Sequence, residues 1–228
     1  MTSLTIVARV ELECIRAMES ETGNDRRNSM IKLYGSAMSR AGRSLWAIEE
    51  TGVKYDQVVV PETRKPEYLK INPNGHVPTL DDNGTVLFES MAINLYLAEK
   101  YGKPPLWPST VEGHGACYQW SLWSVTELET PLIDVFTHRI ILPADQRNEK
   151  IALAALEKLN APLKVLDDRL QKSEYLLGKE FTIADLNVAT MLSLSRYIQL
   201  DLSRVPTAEK WLQKCLERPA NQRVAAMK

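Results

Sequence analysis

Three short stretches pair hydrogen-bonding side chains with points where a folded chain leaves its backbone open. Ser39 follows the alternating run Ile31-Lys32-Leu33-Tyr34 and precedes Arg43 by four residues, at the start of a helical pattern. A hydroxyl at a helix mouth can cap the free N–H groups. It can also donate to an anion held in the field of the helix terminus. Ser36 offers the same group three residues earlier. Val77-Pro78 falls where a loop enters a strand; a cis bond there would leave the Val77 amide and carbonyl free to pair with an extended ligand. A trans proline opening an edge strand is the plain alternative. Glu89-Ser90 sits at a strand-to-helix junction, where free N–H groups and a hydroxyl welcome a carboxylate and Glu89 can balance an ammonium. Capping by Ser90 alone would be worth about 1 kcal/mol.

The elements that must position these residues change character partway along the chain. Arg40 to Glu50 carries Ala41, Leu45 and Ile48 at helical spacing, and Gly52 is placed to stop that helix. Tyr55 to Val60 is β-rich and ends at Pro61, and a short helical stretch from Pro66 to Ile71 leads into the turn Asn72-Pro73-Asn74-Gly75. Pro78 to Asp81 and Thr85 to Glu89 flank Asp82-Asn83-Gly84, a strong hairpin signal. Ser90 opens a helix with Ile93, Leu95, Leu97 and Tyr101, stopped by Gly102. The order βαβαββα predicts a small α/β domain over 30–102. Three prolines in 102–109 mark a boundary, with a linker over 103–112. Residues 113–228 carry no convincing strand. Leu156, Leu159, Leu163, Leu166 and Leu170 form one apolar stripe, and Thr182-Ile183-Ala184-Asp185 is a capping box flanked by Phe181 and Leu186. Residues 19–29 hold almost no apolar side chains, so 1–29 is expected to be a flexible extension.

Composition narrows the chemistry. With 28 Lys and Arg against 29 Asp and Glu, the chain has no charge excess that would call for nucleic acid or an anionic membrane. Three scattered cysteines, Cys14, Cys117 and Cys215, make neither a metal cluster nor a disulfide framework, which fits a cytoplasmic setting. No apolar run is long enough to span a bilayer. GxSxG, P-loop and HExxH motifs are absent, so neither metal catalysis nor serine hydrolysis is expected.

Taken in order, these pieces resemble the glutathione transferase family, closest to its serine-type theta, delta and phi classes. The resemblance is carried by Ile31-Lys32-Leu33-Tyr34-Gly35, Ser39 with Arg43, Lys65 to Pro73, His76-Val77-Pro78, Glu89-Ser90 and Phe181 to Leu186. It implies an α/β thioredoxin-like N-terminal domain followed by an all-α helical-bundle C-terminal domain. It also implies a cis bond before Pro78, with Val77 pairing to the cysteinyl backbone of glutathione. Glu89 and Ser90 would take the γ-glutamyl end, and His76 with Lys65 or Arg64 the glycyl end. Thr63 stands where some relatives have a histidine, and Met91 where many have an arginine. Ser39 is preferred over Ser36 by its spacing from Arg43 and would stabilise the glutathione thiolate, the nucleophilic form of a thiol. Family members that reduce disulfides carry a cysteine in this loop, whereas Ser36-Ala37-Met38-Ser39-Arg40 has none, which favours conjugation or peroxide reduction.

The implied enzyme is a detoxifying transferase, with glutathione as co-substrate, no metal, a small hydrophobic electrophile, and a homodimeric assembly. Its substrate pocket would lie between the Ala37-Met38 loop and the first long helix of the bundle, which carries Trp120, Trp123 and Glu127; such a stripe is equally the mark of a core. Isomerase, dehalogenase and peroxidase activities share the same thiolate chemistry. The rival class is a non-catalytic binding or protein-interaction module of the same fold. Such modules often lose the serine or the Glu-Ser pair, and this chain retains both.

Overall fold

The computed structural model describes residues 31–227, so the extension expected over 1–29 lies outside the described residues. Four strands form one sheet in the order β2-β1-β3-β4: β1 (Ile31–Tyr34), β2 (Tyr55–Val58), β3 (Thr79–Asp82) and β4 (Thr85–Phe88). β1 runs parallel to β2 and antiparallel to β3, and β3 pairs antiparallel with β4. The turn Asn83-Gly84 has positive φ at both residues (56° and 88°), as a tight hairpin of this twist requires. β2 ends at Val58, two residues short of the β-rich run, and the Val58 carbonyl accepts from the Gly35 N–H at 2.9 Å.

Helices α1 (Ala41–Thr51) and α3 (Ser90–Tyr101) pack on the sheet and on each other, and the short α2 (Pro66–Leu69) precedes the β3 turn. α1 ends at Gly52 with φ 69°, the left-handed cap that glycine adopts without steric cost. The hairpin is tied to α3 by Asp82, whose Oδ2 accepts from the hydroxyls of Tyr96 and Tyr101 (both 2.7 Å) and from Lys100 Nζ (2.6 Å).

The rest of the described chain is helical. α4 (Val111–Trp123) passes into a π-helical turn (Ser124–Glu129), then α5 (Thr130–Phe136) and a second π-helical turn (Thr137–Ile141). Pro131 lacks an N–H and so removes one α-type bond just where the first π turn ends. α6 (Glu149–Leu170), α7 (Ile183–Leu192), α8 (Leu194–Tyr197), α9 (Pro206–Leu216) and α10 (Pro219–Ala225) follow. The leucine stripe of α6 packs inward at Leu159, Leu163, Leu166 and Leu170, and Leu156 packs partly buried against the same core. α7 is buried along its whole length and starts at the capping box foreseen at Thr182 and Asp185. The architecture is therefore a thioredoxin-like α/β unit followed by a helical bundle, as the resemblance implied.

α1 carries its charges against its own dipole. Arg40 and Arg43 stand at its N-terminal end and Glu49 and Glu50 at its C-terminal end, with no acid in the first turn and no base in the last. Each such charge disfavours an isolated helix by about 0.3–1 kcal/mol. Partners from the bundle offset this at both ends. Arg40 Nε and Arg43 Nη1 donate to Glu129 Oε1 at 2.9 and 3.0 Å. Arg218 makes a bidentate pair with Glu50 (2.7 and 2.8 Å), and Arg223 pairs with Glu49. The helix that bears Ser39 at its mouth is thus clamped to the bundle at each end.

Candidate active site

Gly35 is where the site converges. Its φ of 128° lets the chain leave β1 sharply, and a side chain there would meet Ala41 Cβ at 2.5 Å, Val77 Cβ at 3.0 Å and Ser39 Oγ at 3.5 Å. The Ser39 loop and the Val77 turn therefore face one another across a gap that only glycine leaves open. The Val77-Pro78 bond is cis. Among the described residues, neither the amide nor the carbonyl of Val77 takes part in a hydrogen bond. The turn itself is held from behind: the His76 carbonyl accepts from Tyr68 Oη (2.7 Å) and Asn72 Nδ2 (2.8 Å), and both groups also reach Thr79 Oγ1.

Ser39 Oγ accepts from the Ala41 N–H at 3.1 Å and donates to the Ser36 carbonyl at 2.8 Å. The first contact takes up the free N–H of the first residue of α1 and fixes the oxygen. The second is a hydroxyl proton, free to rotate toward any better acceptor placed beside it. The Ser36 hydroxyl makes no hydrogen bond among the described residues.

At the start of α3, Glu89 occupies the N-cap position with φ 73° and ψ 113°, a conformation disfavoured for a residue with a Cβ. Ser90 is the first helical residue and is buried, yet its hydroxyl does not cap the helix, which sets aside the simple capping role weighed for it. Glu89 stays exposed, so an exposed carboxylate and an uncommitted hydroxyl stand together at a helix N-terminus. Behind them, Met91 Sδ lies 4.0 Å from Ser124 Oγ at the start of the π turn. Asn94 Nδ2 bonds to Asn187 Oδ1 (2.8 Å), and Asn187 Nδ2 bonds to Ser121 Oγ (2.8 Å), so a buried polar chain joins α3 to α7 and α4.

The remaining predicted residues are exposed, paired with neighbours or packed in the core. His76 and Lys65 are exposed; Lys65 Nζ is 3.2 Å from Glu62, and Arg64 donates to the Asn74 carbonyl. Met38 is 80% exposed at the tip of the Ser39 loop. Trp120 is buried in the core with Trp123 edge-on against it, ring centroids 5.1 Å apart. A cleft of about 460 Å³ opens at the opposite end of α1, among Glu50, Lys103, Leu106, Tyr175, Phe181 and Arg218, and none of the predicted site residues lines it.

Two charged side chains escaped the sequence reading: Arg40, and Glu129 of the π turn. Burial lowers the Arg43 guanidinium and Glu129 opposes that shift. Burial likewise raises the Glu129 carboxyl, but Arg43 and Arg40 outweigh it and hold the group below the ordinary carboxylate range. In the sequence Arg43 is marked only by its spacing from Ser39. Trp46 and Ala47, three and four residues on and both buried, share its face of the helix and are the sequence signal that it is buried and needs a partner.

Both the α/β unit and the bundle have counterparts among known proteins. Residues 29–99 match the family model of the glutathione S-transferase N-terminal domain, and residues 130–219 that of the C-terminal domain. The chain is 33% identical over 207 residues to glutathione S-transferase 1 of Zea mays, covering 86% of this chain and 96% of the relative. It is 30% identical over 190 residues to glutathione S-transferase D7 of Drosophila melanogaster, covering 80% and 83%. Among solved structures, a theta class glutathione S-transferase of Xanthomonas axonopodis pv. citri with glutathione bound superposes with a TM-score of 0.78 at 29% identity, covering 88% of this chain and 99% of that one. A glutathione S-transferase-I bound with lactoylglutathione gives 0.78 at 32%, covering 87% and 99%. The α/β unit and the helical bundle are thus the two domains of one known family, in the same order. The chain belongs to the glutathione S-transferase family, and it is an enzyme of that family.

Proposed function

We propose that this enzyme binds glutathione in the hollow around Gly35 and activates its thiol through Ser39 for attack on a hydrophobic electrophile. The observation that carries the reading is the Ser39 hydroxyl. Its oxygen is fixed by Ala41 N–H while its proton rests on a replaceable carbonyl, and it faces Val77 across Gly35. A thiolate seated there accepts the Ser39 proton in place of the Ser36 carbonyl and lies in the positive field of the α1 N-terminus, which favours the charged sulfur. The thiol proton passes to solvent. The sulfur lone pair then forms a bond to the electrophilic carbon as the leaving group departs with its electron pair, and proximity supplies much of the rate.

Val77 pairs through its open amide and carbonyl with the cysteinyl backbone of glutathione, as Pro78 turns the chain to present them. Glu89 meets the γ-glutamyl ammonium, and Ser90 with the α3 N-terminus meets its carboxylate. The strained φ of Glu89 fits such a role. Lys65 and His76 are assigned to the glycyl end. Met38 lies toward the electrophile, and the half-buried Trp123 forms the apolar wall beyond it, backed by Trp120 in the core.

Two exposed apolar strips support a homodimer: Val86 and Phe88 on edge strand β4, and Val111, Tyr118 and Leu122 on one face of α4. A cytoplasmic place and a detoxifying role fit two buried, unpaired cysteines and the chemistry of conjugation. Among the described residues, no helix is long and apolar enough to cross a membrane.

A second reading assigns thiol activation to Ser36, because its hydroxyl is uncommitted among the described residues while that of Ser39 is engaged. Steady-state conjugation of glutathione to an activated aryl halide separates the two. Ser39→Ala is expected to lower kcat/KM at least tenfold and Ser36→Ala less than threefold. The reverse order would transfer the role to Ser36, and full activity in both would remove it from this loop.

A further inference from the structure

We propose that Glu129, supplied by the helical bundle, is a positioning residue for thiol activation: it gathers Arg40 and Arg43 at the mouth of α1, so that one net positive charge is held beside the Ser39 loop. The inference rests on the reading above that the thiol sits at that helix mouth.

Three observations lead to it. First, Arg40 directly follows Ser39 and Arg43 is one turn further on, so both guanidinium groups belong to the end of the helix where cations are least at home. Such placement weakens the helix but deepens the positive potential at its mouth, which is what a thiolate requires. Second, a single carboxylate oxygen, Glu129 Oε1, receives both arginines at 2.9 and 3.0 Å. Two positive charges and one negative leave a net charge of +1. The geometry is fixed, because the Arg43 side chain is only 10% exposed and that of Glu129 16%. Third, Glu129 stands on a π-helical turn, a distortion that re-aims side chains and is frequent at functional sites. That turn also places Ser124 against Met91, next to the Glu89-Ser90 pair. The bundle thus touches both halves of the glutathione site from one irregular turn.

At the far end of α1, its own Glu50 and Glu49 are paired with Arg218 and Arg223. Glu127 lies on the same π turn but is exposed. The Arg40–Glu129–Arg43 cluster is therefore the charge closest in sequence and contact to the Ser39 loop.

An electrostatic role and a purely structural one differ in sign. Loss of Arg40 removes a cation and makes the bound thiol less acidic. Loss of the Glu129 charge, with its shape retained, unmasks both cations and makes the thiol more acidic. A structural clamp gives the same direction for both variants, or none. The test is the ultraviolet thiolate titration of glutathione bound to the full-length protein, for wild type, Arg40→Gln and Glu129→Gln, in low and high salt. Arg40→Gln is expected to raise the apparent thiol pKa by about half a unit and Glu129→Gln to lower it by a similar amount, both effects shrinking as salt rises. Arg40 has a side chain 56% exposed, so its variant folds even if Glu129→Gln does not. A wild-type titration in Arg40→Gln, or an upward shift in both variants, overturns the proposal. A bound thiol no more acidic in the wild type than free glutathione overturns the underlying site as well, which separates the two failures.

Discussion

Glu129 and Arg43 lie 86 residues apart in sequence, yet their side chains meet at 3.0 Å, and through that contact the bundle grips the helix that Ser39 opens. The pair is mostly buried, and removing one member of such a pair leaves an uncompensated charge. Glu129→Ala is expected to lower unfolding free energy by about 2–4 kcal/mol, read from urea denaturation. The carboxyl is held below its ordinary range in the folded state. Its contribution is accordingly complete above the unfolded value of about 4.3 and is lost as pH falls through the lower folded value. The stability difference between wild type and Glu129→Ala should shrink as pH is lowered from 5 toward 3, and a constant difference would contradict the ion-pair account.

The buried polar chain Asn94–Asn187–Ser121 predicts coupling between the two units. Asn187→Ala leaves Asn94 Nδ2 without its acceptor in a fully buried setting and should cost about 2–3 kcal/mol. A double-mutant cycle of Asn187→Ala with Asn94→Ala should show strong non-additivity, because each change strands the same bond. Additive losses would mean the contact is incidental.

Asp185 does more than the local box its sequence motif describes. Besides the Thr182 amide at 2.9 Å, it accepts from Leu176 N (2.8 Å) and Trp211 Nε1 (3.0 Å), so one carboxylate joins α7, the loop before it and α9. Asp185→Ala should therefore cost more than a lost cap alone, about 3–5 kcal/mol against about 1 for capping. Thermal unfolding of Asp185→Ala beside Thr182→Ala checks this: a similar loss in both would reduce Asp185 to a cap.

Two of the three cysteines should be inert in the folded enzyme. Burial pushes the Cys117 thiol up to about 12 and raises Cys215 as well. A chromogenic disulfide reagent should reach both only after denaturant is added; fast reaction of either in native conditions would contradict their burial.

Much of this was legible in the residues wherever the determining contacts are local. Asn83-Gly84 announced its hairpin because positive φ is needed at adjacent residues, and Thr182 to Asp185 announced a helix start because both halves of the box lie within four residues. Gly52 likewise ends α1 where the pattern places its stop, and it does so in the left-handed conformation. What stayed hidden depends on contacts distant in sequence. Nothing near Glu129 indicates that it meets Arg40 and Arg43, and the π turn that carries it lies between α4 and α5, just before Pro131. Glu89 is marked as a candidate by its place before Ser90, but nothing in the residues around it signals its positive φ. Trp120 and Trp123 fit a core or a pocket equally by spacing, and the structure buries Trp120 within the core.

The most direct test of the account is the ultraviolet titration of glutathione bound to wild type and to Ser39→Ala. The account predicts a thiol clearly more acidic than free glutathione in the wild type, with about one unit or more of that acidity lost in Ser39→Ala while glutathione still binds. Identical titrations in the two proteins would contradict it, leaving Ser39 as no more than the cap of α1.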